Sequence, residues 1–391
     1  MTKSGLNYEG LKKSDKRKET AEDHAFLEEI MGERWTEIRD SCKRPYEDIE
    51  KWQFKRVKEL VTHAYETVPL YEEKYSAEGF EPEDLQTWND FKALPILTKE
   101  ELISAFPDKC MSSKHNFEFM TTSSGSSGKF VTVVVSRNAV YEDTLQGIRQ
   151  FDFQSGGKYH PEDKALFIYT TPWWITSVNG KYSTEFLSTT AKPEDAIKVI
   201  AEVKPKVLST YPTYLRNLAS IGADLKGSGV ELVIIHSEQS TLREREALGE
   251  YFGVPVLDEF SSEELTRIAL ECPMHKYHLE EDACYVEIVD PKNPKTEQTP
   301  GKMGLVLGTN LLNEATPIIR YHQGDLAILN ETQKCSCGSN FRILSSPKGR
   351  IMDSIRIDSD GTSVPASSFM DLAYNWCLSF DIPAHGMRYQ I

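Results

Sequence analysis

No apolar run in the sequence approaches the roughly 20 residues that a spanning helix needs, so a helical membrane protein is not expected. The N-terminus, MTKSGLNYEGLKKSDKRKET, is charged but has no apolar segment behind it, and it does not read as a secretory signal. Cysteine is sparse: seven in 391 residues are too few and too scattered for a disulfide framework. A reducing, cytoplasmic setting is the expectation. Positive charge is also short, with 45 basic against 60 acidic side chains and a formal net charge of −15. Such a chain is repelled by nucleic-acid backbones and anionic lipid, so neither nucleic acid nor membrane is an expected partner. A local pocket for one small anion is compatible with this balance. No repeat of fixed period is visible.

What is present is ordinary globular composition, 39% hydrophobic and 27% charged, in a length that suits two or three compact units. Residues 1–20 read as a polar arm. Residues 21–115 read as a helical N-terminal region, with Leu27, Ile30 and Met31, then Trp52, Val57, Leu60, Val61 and Ala64, at helical spacing. Pro69 breaks the second run. Thr98 with Glu101 three residues on is a capping box that opens a short helix. Residues 116–350 read as an α/β unit. A helix over 139–151 is followed by strand-like and helix-like runs in alternation, from ALFIYTT to VPVLDEFSS, which predicts a mainly parallel sheet. After residue 270, YHLEED, CYVEIVD, GLVLGTN, IIRYHQGD and LAILN suit a small antiparallel sheet or barrel. Residues 351–391 read as a hinge and an incomplete C-terminal domain.

The strongest local signal is Thr121-Thr122-Ser123-Ser124-Gly125-Ser126-Ser127-Gly128-Lys129. Six hydroxyls, two glycines and one lysine fill nine positions, a composition that suits a polyphosphate. It is not a Walker A motif, because Gly125 and Gly128 are only three apart and Phe130 follows the lysine. It is not a dinucleotide fingerprint either, because a strand follows where that motif needs a helix. Ser126-x-x-Lys129 fits the serine–lysine pattern of penicillin-binding enzymes, without the companion motifs. The same composition is common in linkers.

The loop stands in an ordered set. Ser123–Lys129 resembles the phosphate loop Ser-Ser-Gly-Thr-Thr-Gly-Lys of the adenylate-forming superfamily of acyl-CoA synthetases, adenylation domains and luciferases. The stretch VPLYEEKY to LPILTKEEL resembles the phenylacetate–CoA ligase and capsule-biosynthesis branch more narrowly. The resemblance covers roughly 60–355 and implies the large N-terminal domain of that superfamily, with the small C-terminal domain truncated or missing. Only 38 residues follow Asp353, and no lysine follows Lys348, where the family uses a catalytic lysine.

The resemblance implies roles for the remaining positions. Lys129 and Thr122–Gly128 would hold ATP phosphates. Ser262 would steady the α-phosphate and Glu263 would hold magnesium, with Glu264 the alternative one residue on. Glu259 and Phe260 occupy the adenine-side positions, and Glu259 stands where the family has a stacking tyrosine. Ser237 and Glu238 sit in an adenine-contacting loop after the strand VELVII. Asp325 matches the aspartate that accepts both ribose hydroxyls, a fit for a carboxylate with two acceptor oxygens. Arg350 and Asp353 match the hinge. The implied reaction joins a carboxylic acid to ATP as an acyl-adenylate and passes the acyl group to CoA. A carrier-protein thiol or an amine is the alternative acceptor, and a non-catalytic nucleotide-binding scaffold is the rival of another class. A homodimer is left open.

Two further features come from the residues themselves. Cys272, His278, Cys335 and Cys337 form two pairs about 60 residues apart, the pattern of a closed tetrahedral zinc site, with His275 competing for the histidine place. Tyr169, Trp173, Trp174, Tyr211 and Tyr214 cluster near strand ends, as in a pocket for a flat or aromatic acid, and equally as in a plain core.

Overall fold

In the computed structural model, the described residues are 19–372 apart from 117–118, 124–129, 333, 346, 357–362, 366 and 371. The N-terminal part is helical: α1 (Ala21–Asp40), α2 (Tyr46–Thr67), α3 (Pro69–Ser76) and α4 (Trp88–Ala93), then the short strand β1 (Leu97–Thr98) and α5 (Lys99–Ala105). Thr20 caps α1 through a reciprocal box with Asp23, and Thr98 caps α5 the same way with Glu101. Pro69 does more than end α2. It is a first-turn residue of α3, where a missing N–H costs nothing.

A hairpin follows, β2 (Phe119–Thr122) and β3 (Thr132–Val135), and then the long helix α6 (Arg137–Gln154). The serine–glycine loop therefore joins two paired strands, where only the second was expected from the sequence. The α/β part runs β4 (Ala165–Tyr169), β5 (Thr184–Ser188), α7 (Pro193–Val203), β6 (Val207–Thr210), α8 (Pro212–Ser220), β7 (Leu232–His236), α9 (Leu242–Phe252) and β8 (Val256–Ser262). The last part holds β9 (Thr266–Glu271), β10 (Tyr277–Leu279), β11 (Cys284–Asp290), β12 (Asn293–Glu297), β13 (Met303–Asn310), β14 (Tyr321–Ile328) and β15 (Ile343–Leu344).

Two larger sheets organise the molecule. One has eight strands in the order β15-β10-β9-β8-β7-β6-β4-β5. Its strands β5, β4, β6, β7 and β8 are parallel, and β9 turns back antiparallel on β8. Alternate residues of the parallel strands feed two cores. Val233 and Ile235 face Ile200, Leu215 and Leu248 of helices α7, α8 and α9. Ile234 and Leu257 face the core shared with Leu145 and Ile148 of α6. Burial on both faces explains the near-continuous apolar run of β7. The second sheet is open, in the order β1-β14-β13-β11-β12, and antiparallel except where β1 joins β14. The stretches IIRYHQGD and LAILN, expected as separate strands, lie largely within the single strand β14. Among the described residues no helix is long and apolar enough to cross a membrane.

Candidate functional site

The C-terminal ends of the parallel strands open into a cavity of about 680 Å³. Ligands of open α/β sheets sit at this edge. Thr122 and Ser123 border it where the hairpin loop begins, and Ser123 exchanges hydrogen bonds with the Val131 backbone, its N–H donating at 2.9 Å and its Oγ accepting at 3.0 Å. The cavity edge thus carries the base of the loop, while Ser124, Gly125, Ser126, Ser127, Gly128 and Lys129 lie outside the described residues. Opposite, the turn from β8 to β9 presents Ser262, Glu263 and Glu264 to the cavity. The Leu265 N–H donates to Ser262 Oγ at 3.1 Å and closes that turn. Glu263 accepts from the Thr121 hydroxyl and from Tyr169 OH at 3.3 Å. Glu264 is buried beside Tyr321, and burial pushes its carboxyl up. Of the two register choices, Glu263 is the one tied directly to the base of the loop.

The strand ends supply the rest. Ser237 follows β7 with φ +66, and Ser237 and Glu238 both line the cavity. Glu238 accepts from Thr213 N–H at 2.9 Å and Thr213 Oγ1 at 2.6 Å, which pins it to the start of α8. Gln239 reaches across to the Pro347 carbonyl at 3.0 Å. Glu259 lines the cavity, whereas Phe260, on the other side of the strand, packs against the main core and does not. Burial alone would raise the Glu259 carboxyl. Arg267 and the hydrogen bond from Gln150 at 2.7 Å outweigh it and hold the group below its ordinary range. Arg350 lines the cavity and lies 3.8 Å from Asp325, whose carboxyl burial pushes up to about 6. Tyr169, Tyr211 and His236 form an aromatic trio with ring centroids 5.2–5.4 Å apart, and Trp173 and Trp174 continue the wall. Tyr214 points away, its hydroxyl donating to the Ala191 carbonyl at 2.9 Å.

No protein-family model matches the chain. The phenylacetate-coenzyme A ligase of Escherichia coli is 28% identical over 299 residues, covering 72% of this chain and 68% of that enzyme. The phenylacetate-coenzyme A ligase of Thermus thermophilus is 26% identical over 341 residues, covering 80% and 73%. Among solved structures, an open conformation of 2-hydroxyisobutyryl-CoA ligase in complex with 2-HIB-AMP and CoA matches with a TM-score of 0.70 at 20% identity, covering 85% of this chain and 76% of that one. In sequence and in fold the chain is similar to enzymes of the adenylate-forming superfamily. Its fold is that of the superfamily's large N-terminal domain.

Within this adenylate-forming fold, the cysteine pairs converge away from the cavity. The ligand atoms of Cys272, His278, Cys335 and Cys337 all lie within 4.8 Å of one another. Cys272 Sγ is 3.7 Å from Cys335 Sγ, and Cys337 Sγ is 3.2 Å from His278 Nε2. His278 Nδ1 sits 3.0 Å from the Phe341 carbonyl, which orients Nε2 toward the sulfurs. His275 pairs instead with Glu271 at 2.8 Å. That geometry selects His278 over its competitor.

Some cavity residues were not expected from sequence. Arg267 on β9 pairs with Asp143 and donates to Gln150 Oε1 at 2.7 Å. Asp143, Gly147 and Gln150 border the cavity at helical spacing on α6, and Gln154 continues the row, three polar side chains around a glycine on a mostly buried helix. That row is the signal sequence reading passed over. The N-terminal segment also reaches the site. Glu19 accepts from Thr176 N–H and Oγ1 at 2.5 and 2.6 Å, and His24 Nδ1 lies 2.9 Å from the Ser177 carbonyl. Glu28 holds Asn179 and Lys181. Thr176 and Ser177 both line the cavity.

Proposed function

We propose that the chain activates a carboxylic acid with ATP as an acyl-adenylate, releases pyrophosphate, and passes the acyl group to the thiol of CoA. One observation carries this: Glu263, tied through Thr121 to the base of the hydroxyl-rich loop, faces an aromatic-walled cavity at the strand ends. Phenylacetate-CoA ligases and 2-hydroxyisobutyryl-CoA ligase, the relatives above, support the reaction class.

Both substrates are anions, so the barrier is largely electrostatic, and pre-placed donors at the phosphate are the main catalytic resource. In this reading Ser123 and the loop to Lys129 cradle the β- and γ-phosphates. The Ser262 hydroxyl sits against the α-phosphate. Glu263 is the hard oxygen ligand for magnesium, which when bound would offset phosphate charge. Asp325 and Arg350 hold the ribose, and Ser237 and Glu238 border the adenine. The aromatic wall of Tyr169, Trp173 and Trp174 takes the acyl group and excludes water. A carrier-protein thiol is the alternative acceptor. Cys272, His278, Cys335 and Cys337 would hold a structural zinc. Four converging ligands and an oriented imidazole fit that ion and leave it no open position. The free thiols among the described residues suit a cytoplasmic location.

ATP–pyrophosphate exchange over a panel of aryl and short-chain acids tests the reading. Glu263→Gln should lower exchange at least about 100-fold. Glu259, an anion in place of a stacking aromatic, favours one rival, a nucleotide-binding scaffold. AMP binding with no exchange for any acid would establish that rival and end the catalytic reading.

A further inference from the structure

One wall of the cavity, where β9 faces α6, carries a charged pair that an apolar guest would not need. Arg267 and Asp143 both border the cavity. Arg267 spends Nε on Gln150 and Nη1 on Asp143. Its Nη2 makes no hydrogen bond to a described residue and lies over the bare α-carbon of Gly147, where an added Cβ would come within 2.8 Å of it. Asp143 gives only Oδ1 to the arginine, and its buried Oδ2 has no partner among the described residues. Thr266, the neighbour of Arg267 on the same wall, likewise leaves its Oγ1 without a described partner. Its backbone has φ +58, a conformation that β-branched residues rarely adopt and that collects at ligand sites.

Unpartnered donors and acceptors on a cavity wall oppose a plain hydrocarbon ring, because each one left unmet keeps its desolvation penalty. They favour a guest that completes them. Arg267 already faces two carboxylates, Asp143 in direct contact and Glu259 close by, so the wall offers no net positive charge to a second carboxylate, and an ammonium group cannot accept from Nη2. Arg267 Nη2 donates and Asp143 Oδ2 accepts. The guest group must therefore accept and donate at once.

Resting on the acid-activating reading above, we infer that the chamber takes a carboxylic acid bearing a neutral donor–acceptor substituent, in the simplest case a hydroxyl, held between Arg267 and Asp143. An unsubstituted acid of the same shape leaves that pair unmet and is discriminated against.

The test compares binding of phenylacetate, the three ring isomers of hydroxyphenylacetate and 4-carboxyphenylacetate to the AMP-loaded protein by calorimetry, alongside exchange rates with each acid. One hydroxylated isomer should bind at least roughly tenfold more tightly than phenylacetate, because a site built for a hydroxyl rejects its absence strongly. In Asp143→Asn, which keeps the shape, and in Arg267→Met that ratio should fall toward one. Simple structural damage would weaken all acids together and leave the ratio unchanged. Equal or tighter binding of phenylacetate, tightest binding of the dicarboxylate, or an unchanged ratio in both variants overturns the inference. Exchange failing with every acid strikes the catalytic reading instead, and the binding ratio still decides the chamber.

Discussion

Gly308 offers a sharp test of how the turn from Ser262 to Leu265 is supported. It lies in β13, paired with Val286 on one side and Tyr321 on the other, at the centre of the open sheet. A Cβ there would stand 2.9 Å from Leu265 Cδ2 and 3.1 Å from Cγ, with Cδ1 closer still. Leu265 is fully buried, so it has no solvent to swing into. Gly308→Ala therefore overpacks the core by one methyl, which costs about 1–3 kcal/mol. For a chain of this size that is a fall in Tm of roughly 1–4 °C. Leu265 also anchors the turn through its N–H bond to Ser262 Oγ, so the strain reaches Ser262 and Glu263. We expect exchange to drop about tenfold or more at saturating ATP, since small displacements of reacting groups are expensive. Leu265→Ala alone should cost about 2–5 kcal/mol through the cavity it leaves. Combined with Gly308→Ala, the new methyl occupies part of that space, and the pair should be coupled by at least about 1 kcal/mol. Melting curves of the four proteins give the cycle directly. Strict additivity, or a Gly308→Ala protein with wild-type melting and exchange, would refute the steric reasoning.

Purified protein should carry about one equivalent of zinc by elemental analysis, and Cys337→Ser or a strong chelator should remove it with a clear fall in Tm; less than a tenth of an equivalent would sink the site. Burial pushes the folded Asp325 carboxyl up to about 6 from an ordinary 3.8. Between those values the folded chain holds a proton that the unfolded chain has released, so this group makes stability fall as pH rises from about 4 to 6 and contributes no further slope above that. Urea midpoints at pH 4.5 and 6.5 should show Asp325→Asn lacking that part of the slope. An identical slope in variant and wild type would show that the carboxyl is not perturbed.

Much of the α/β order was legible because it rests on local pattern. The Leu232–Ile235 part of VELVII is buried on both faces in β7, and Thr98 caps its helix with Glu101. β5 was not, because Thr184–Ser188 is a half-exposed edge strand with no clean alternation. β2 was hidden because Phe119–Thr122 runs directly into the hydroxyl-rich loop. At the site, Ser262, Glu263, Ser237 and Glu238 could be named from motif order, and all four border the cavity. Phe260 could not be assigned correctly to a face, because strand phase depends on the bulge between Phe260 and Ser261. Arg267 and Asp143 meet only when β9 packs against α6, a contact between residues 124 apart in sequence.

The clamp from Glu19, His24 and Glu28 onto the 176–181 segment means that the shape of the cavity wall is partly decided by residues that do not line the cavity. With the acid seated in that cavity as proposed, selection, or an engineer, would retune which acid is accepted by altering the N-terminal segment while every reacting group stays untouched. Substrate scope in this fold would drift through a remote handle, and shortening the chain by about twenty-five residues would change its preferences rather than simply trim its tail.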